Sequence, residues 1–345
     1  MGLDFSVIVI AYDRKEYILD AVKSVLSQNY DQGTIQIIVV KSFKDPVIDD
    51  FLKENRIFSI FTDAIPIGMK FYEGFKVCQG DIICLLEDDD IFSKQKVQKL
   101  NEMFSKNPDV WLTVNNYKAI NSRGDEVSSF RSSERSLQSL MTTRIFSGPT
   151  YDLKTMLKRL SMTFNNSRMS FRSELKSKLM ELCSKTSSLT DNLPIIFTML
   201  NNKSVAWISD CLSFYRLHDK NASVNFPEEE KEKKRKASYY RMETDALTIR
   251  DYFVNSDRKI SDYFDLVASY KALKISMIDS NKEKIFHDGL KFIKKFLRKR
   301  GSIKKFETGM ISLKRIAFTL SFTTLYLFSE KIGHAIDKRF PWVKD

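Results

Sequence analysis

Through its first 115 residues the chain alternates short β-branched apolar runs with amphipathic stretches, and few architectures accept that order. Residues 5–11 read FSVIVIA, the composition of a buried strand. Residues 16–28 then place Ile18, Ala21, Val22, Val25 and Leu26 at helical spacing. Further strands are expected at 35–40, 57–61, 81–86 and 110–114, with helices between them at 47–54, 68–78 and 94–105. Strands that need helical crossovers form a largely parallel sheet covered on both faces, so the fold class is α/β.

Beyond residue 115 the pattern loosens. A turn at 121–125 and a Ser-rich stretch at 128–139 precede helical signals at 171–183 and 193–200. Short strands at 205–208 and 212–215 lead into a loop over 216–225. A boundary is expected near Pro227, with a first domain over 1–226 and an α-helical region over 227–345. Charge divides at the same place. Residues 1–227 hold 29 Lys and Arg against 27 Asp and Glu, whereas 228–345 hold 27 against 17, so the basicity belongs to the C-terminal third. Cys78, Cys84, Cys183 and Cys211 show no metal-type spacing and read as reduced thiols, which points to a cytoplasmic chain. Residues 5–11 are too short for the apolar core of a signal peptide. The longest candidate span, 316–328, falls short of the roughly 20 residues that a spanning helix needs.

Four consecutive acids, Glu87-Asp88-Asp89-Asp90, follow the apolar run 82–86 and carry the most chemistry. Acids at the carboxyl end of a strand fall where open α/β sheets place their ligand crevice. Carboxylates so crowded repel one another unless a cation or a helix terminus offsets them. One reading is a hard divalent ion, Mg²⁺ or Mn²⁺, held together with substrate phosphates. The other is an acidic loop capping the helix that begins near Ser93.

Several segments together resemble family 2 glycosyltransferases, enzymes of the GT-A fold. The opening Ser6-Val7-Ile8-Val9-Ile10-Ala11-Tyr12-Asp13-Arg14, with Ala21-Val22-Lys23-Ser24-Val25-Leu26-Ser27-Gln28, is similar to that family's first strand and helix. Residues 68–80 leading into the acids resemble its sugar-nucleotide region and metal motif, and Tyr215-Arg216-Leu217-His218-Asp219-Lys220-Asn221-Ala222-Ser223 resembles a late motif. The similarity covers roughly residues 4–225. It implies a nucleotide-sugar donor and a Mn²⁺ or Mg²⁺ ion, with Asp89 as a metal ligand. His218 would complete the metal site or bind the donor's diphosphate. Ala11, Tyr12, Arg14, Lys70, Glu87, Asp88 and Arg216 would face the donor, and Asp191 would be the catalytic base of an inverting displacement. Thr or Asp before a helix is also an ordinary N-cap, so Asp191 has a structural reading beside the catalytic one. One departure stands out. Where the family usually carries acids, in a pattern such as Val-Val-Asp-Asp-Gly-Ser, this chain reads Val39-Val40-Lys41-Ser42. Lys41 would contact a phosphate or pair with a nearby carboxylate.

Residues 291–315 hold ten basic side chains against the single acid Glu307, interleaved with Phe292, Ile293, Phe296, Leu297, Ile303 and Phe306. Such a basic amphipathic helix suits an anionic membrane surface, and nucleic acid is not expected as a partner. The sequence therefore predicts a metal-dependent glycosyltransferase at the cytosolic membrane face, acting on a lipid-linked or polymeric glycan acceptor. The alternatives are a catalytically silent sugar-nucleotide or glycan-binding protein and a basic membrane-bound scaffold.

Overall fold

A computed structural model describes residues 2–12, 14–64, 66–127, 142–147, 165–218 and 228–303. The described residues separate into two units, the second opening at Glu228.

In the first unit, strands β1 (Phe5–Ala11), β2 (Ile35–Lys41), β3 (Phe58–Phe61) and β4 (Ile82–Glu87) pair in parallel, in the order β3-β2-β1-β4. Every residue of β1 is buried, as expected of a strand covered on both faces. Phe5, Val7 and Val9 face helix α1 (Ile18–Leu26), which contributes Ile18, Ala21, Val22 and Val25 to the same core. Helix α2 (Pro46–Glu54) opens on Asp45, whose side chain accepts from the Ile48 N–H at 3.3 Å, with Pro46 at the first helical position. On the other face lies α3 (Ile67–Val77), where Gly74 comes so close to β1 that a Cβ would stand 2.7 Å from Ile8. Gly68 lies still tighter, since its Cβ would sit 2.2 Å from both the Cys183 and Thr186 carbonyl oxygens.

Past β4, the two-residue strand β5 (Ile91–Phe92) and helix α4 (Lys96–Lys106) lead to β6 (Val110–Ile120). Strand β7 (Glu126–Val127) pairs with β6, and β8 (Arg144–Phe146) pairs with β10 (Ser204–Arg216). Strand β9 (Met169–Arg172) runs antiparallel between β4 and β6 and completes a sheet of order β3-β2-β1-β4-β9-β6-β10-β5. Helices α5 (Lys176–Cys183) and α6 (Leu193–Leu200) precede β10.

Three expectations are corrected here. The helical stretch expected over 171–183 begins as strand β9, turns 3-10 helical at Ser173 and α-helical only at Lys176, because Met169, Ser170 and Phe171 fill a slot between β4 and β6. The strand expected at 110–114 runs on to Ile120, its amides donating within the sheet: Asn115 Nδ2 to Ser213 Oγ at 3.1 Å and Asn116 Nδ2 to the Ser209 carbonyl at 3.3 Å. The two strands expected at 205–208 and 212–215 are one, with register shifts at Cys211 that mask its periodicity.

Among the described residues, the second unit holds helices α7 (Glu228–Phe253), α8 (Arg258–Ile278) and α9 (Lys282–Ile303). Asp257 caps α8 by accepting from the Lys259 and Ile260 N–H groups. Ala246, Ile249, Phe264, Val267, Leu273, Ile285 and Phe292 are buried. Phe292 was expected to insert into a membrane interface. Instead it is fully buried, its ring 5.8 Å from that of Tyr270. Among the described residues, no helix is long and apolar enough to cross a membrane. The expectations placed on the 128–139 stretch, the 219–225 part of the late motif, Pro227, the 304–315 basic segment and the 316–328 run lie outside the described residues.

Candidate active site

From β1 the chain passes outward to β2 and β3, then returns across β1 to β4, so the connections diverge at the carboxyl ends of β1 and β4. A crevice opens at such a switch point. Ala11, Tyr12 and Arg14 leave β1 there, and Glu87 to Asp90 leave β4.

The acids turn inward. Asp88, Asp89 and Asp90 are each at most 3% exposed, and Glu87 is half-buried. The Asp88 N–H donates to the Ile10 carbonyl at 3.1 Å, which locks the turn to β1. Ligand oxygens of Glu87, Asp89 and Asp90 all lie within 4.8 Å of one another. Arg14 bridges two of the acids, with Nη2 2.6 Å from Asp88 Oδ1 and Nη1 on Asp89 Oδ2. His218 Nε2 lies 3.0 Å from the same Asp89 Oδ2. Arg216, itself 1% exposed, ties β10 to the run: its backbone N–H donates to Asp90 Oδ1 at 3.1 Å and its Nε to the Asp89 carbonyl at 2.9 Å. Its guanidinium stacks 4.5 Å over Tyr17 and reaches Asp20 Oδ2 at 3.1 Å.

Burial and like charge dominate the electrostatics. Burial, reinforced by Asp89, pushes the Glu87 carboxyl up to about 7. Burial also lifts Asp88 to about 7 against the pull of Arg14, and raises Asp90 well above the carboxylate range. Burial opposes the Arg14 charge, yet Asp88, Asp89 and Glu87 outweigh it and hold the guanidinium above its ordinary value. Even with Arg14 and His218 in place, Asp88 Oδ2 and Asp89 Oδ1 are buried with no hydrogen-bond partner. Oxygen-only donors, converging and partly orphaned, fit a hard divalent cation.

The remaining expected residues fall around this centre or apart from it. Lys70 is buried on α3, with Nζ donating to Ser42 Oγ and to the Ala64 carbonyl and lying 5.2 Å from the Tyr12 ring. Burial lowers its pKa, partly offset by Asp88. Tyr12 is 44% exposed, which leaves its ring accessible to a ligand. Lys41, in register with Ala11, is turned to Asp49 Oδ1 at 2.6 Å and to the Phe43 carbonyl at 2.8 Å. Of its two expected roles, this geometry is the carboxylate pairing. Asp191 lies in a separate 3-10 turn, Thr190–Asn192, just before α6. The N-cap of α6 is Asn192, without a side-chain capping bond, so Asp191 is not that helix's cap. Its Oδ1 accepts from Asn192 Nδ2 at 3.0 Å, and burial lifts its carboxyl to about 7.

Sequence reasoning missed the turn that precedes β9. Asn165 Nδ2 donates to Asp90 Oδ2 at 2.9 Å, Asn166 Nδ2 donates to Glu87 Oε1 at 2.8 Å, and Ser167 Oγ accepts from the Glu87 N–H at 3.0 Å. The only signal was four consecutive polar residues ahead of a short alternating run.

The family model described as "Glycosyl transferase family 2" matches residues 6–153, a segment that includes β1 to β6 and the acidic run. Over these residues the chain is similar to family 2 glycosyltransferases. Among solved structures, S. aureus TarS residues 1–349, crystallised in complex with UDP-GlcNAc, has a TM-score of 0.56 at 14% identity, over 88% of this chain and 89% of that one. The longer S. aureus TarS structure gives a TM-score of 0.52 at 15% identity, over 93% of this chain and 53% of the other. These likenesses establish the GT-A fold of the glycosyltransferase domain. Protein CgeD of Bacillus subtilis is 24% identical over 152 residues, which are 38% of this chain and 33% of CgeD, so the match spans a third of that relative's length.

Proposed function

We propose that the chain transfers a sugar from a nucleoside-diphosphate donor to a glycan or lipid-linked acceptor, with inversion and with help from Mn²⁺ or Mg²⁺. The observation that carries this reading is the converging cluster of half-buried Glu87 with buried Asp89 and Asp90 at the switch point, with Asp89 Oδ1 left without a partner. Glu87, Asp89 and Asp90 would hold the ion, and His218 orients Asp89 through its Oδ2. Such an ion supplies Lewis-acid neutralisation of the charge that builds on the departing diphosphate. Arg14 and Lys70 add fixed positive charge beside it, and exposed Tyr12 offers a face for the base or ribose. Asp191, with its carboxyl near 7, is tuned to take a proton from the acceptor hydroxyl at neutral pH. A UDP-sugar is the first donor to test, because TarS was crystallised with UDP-GlcNAc.

The 227–345 region is assigned to an anionic membrane surface at the cytosolic face. Supporting this, α9 leaves Phe286 53% and Leu290 39% exposed beside the exposed bases Lys284, Lys291, Lys294 and Arg298.

Thermal shift tests the site. UDP should raise the melting temperature with Mn²⁺ present and much less in EDTA, and Asp89→Ala should erase the Mn²⁺-dependent part while remaining folded. An unchanged shift in folded Asp89→Ala would move the metal elsewhere. Donor binding without hydrolysis or transfer across a donor panel would favour the silent binding protein.

A further inference from the structure

The acidic run is held by neutral donors as well as by cations, and these donors come from one short turn. Asn165 caps the 3-10 turn Asn166–Arg168, its Oδ1 accepting from the Ser167 N–H at 2.6 Å. That bond fixes the orientation of the amide, so Nδ2 faces Asp90 Oδ2 at 2.9 Å. Asn166 Nδ2 meets Glu87 Oε1 at 2.8 Å, and the Glu87 N–H donates to Ser167 Oγ at 3.0 Å. The turn is anchored from behind. Ser167's carbonyl accepts from Lys96 Nζ at 2.6 Å and from Ser213 Oγ at 2.7 Å. Lys96 is fully buried, its ammonium 3.7 Å from the Phe92 ring centroid. One anchored turn thus touches the two flanking acids of the converging cluster, while Asp89 between them keeps an unpartnered oxygen.

We infer that the Asn165-Asn166-Ser167 turn, pinned by Lys96 and Ser213, is a positioning device that presets the Glu87 and Asp90 carboxylates for a cation of one size. This rests on the metal-dependent reading above. An amide donor orients one oxygen of a carboxylate without cancelling its charge, so the group stays a full-strength ligand. A Lys or Arg in the same place would compete with the incoming ion. Rigid placement also favours a small ion: Mn²⁺ and Mg²⁺ demand short, regular oxygen geometry, whereas Ca²⁺ accepts longer and more irregular sets. Loosening the turn should therefore weaken Mn²⁺ binding and erode discrimination against Ca²⁺. Removing groups that orient metal ligands typically costs 10–100-fold in affinity.

The test is Mn²⁺ titration of the full chain without nucleotide, reading free Mn²⁺ by electron paramagnetic resonance, with Ca²⁺ as competitor. The Asn165→Ala/Asn166→Ala double variant should bind Mn²⁺ about tenfold or more weakly. Its Ca²⁺-to-Mn²⁺ ratio of Kd values should move toward one, and its metal-free melting temperature should stay within a few degrees of the parent's. Should the double variant not fold, Asn165→Ser and Asn166→Ser singly carry the same measurement. Parental affinity and selectivity in a folded variant would overturn the inference, as would weaker binding with unchanged selectivity and a lowered melting temperature, the mark of a purely structural turn. A parent chain that binds no Mn²⁺ would overturn the metal reading itself, an outcome distinct from either of these.

Discussion

Replacing Asp191 by Asn separates catalysis from stability. The carboxyl is lifted from an ordinary value near 3.8 to about 7, and burial is the main cause. Because the folded pKa lies above the unfolded one, the protonated group is harmless and the ionised group is penalised. Below about pH 4 both states are protonated and Asp191 contributes nothing. Between about 4 and 7 the unfolded chain releases the proton first, so stability falls as pH rises. Above about 7 the penalty is complete. At 1.36 kcal/mol per pH unit it amounts to about 4 kcal/mol as an upper figure, and partial solvent access at this position reduces the expectation to about 2–4 kcal/mol. Asparagine is neutral throughout and retains the Oδ1 that accepts from Asn192. Asp191→Asn should thus match the parent in urea denaturation at pH 4 and be about 2–4 kcal/mol more stable at pH 8, measured on chelated protein. Transfer should fall by about 10²–10⁴ with donor binding preserved, as for a lost general base. Parental transfer in the variant would place the base elsewhere. A stability difference independent of pH would show that burial is not what tunes this carboxyl.

Two further outcomes are expected. Gly68→Ala should destabilise by about 1–3 kcal/mol, as overpacking does, because its Cβ would meet two backbone carbonyls at 2.2 Å and α3 must move away from the end of α5; a melting temperature equal to the parent's would show that this approach is looser than described. Lys291→Glu/Lys294→Glu/Arg298→Glu should weaken cosedimentation with anionic vesicles by about 100-fold or more, at about 1 kcal/mol per basic residue removed, without lowering donor hydrolysis; undiminished binding would place the membrane contact outside α9. These three side chains are exposed, whereas truncation at 291 would also remove the buried Phe292 and the Lys295–Asp265 pair at 2.7 Å.

The parallel half of the sheet was legible because its strands are mostly apolar and β-branched and its helices place buried residues three and four apart. Strand β9 was not. Four residues carry too little periodicity to be told from the first turn of α5, and the strand exists only because β4 and β6 leave a slot for it. Strand β10 was read as two because its register slips on both sides of Cys211, so the alternation of buried side chains breaks mid-strand. Phe292 shows a different limit. A basic helix with interleaved aromatics has the same pattern whether the aromatics meet lipid or a neighbouring helix, and in α9 this one meets Tyr270.

For the site, sequence exposes what is charged and hides what orients the charge. Glu87 to Asp90 are conspicuous because four adjacent acids are costly to bury, and Arg14 and His218 stand in segments that already resembled a family. The Asn165–Ser167 turn, Lys96 and Ser213 are ordinary polar residues of three different elements, 46 to 117 positions apart in their mutual contacts, and nothing local marks them. Their effect is nevertheless large in principle. Preset dipoles in a buried site act on developing charge without having to reorganise, whereas exposed groups must first reorder their water. Burial also explains why the cluster resists leaving its charges bare. Glu87 and Asp88 are pushed to about 7, so a neutral solution leaves each poised between holding a proton and losing it to solvent. On the proposed reading, metal would replace protons here near the pH at which Asp191 would become able to accept one, and both properties would come from the same cause, the removal of carboxylates from water.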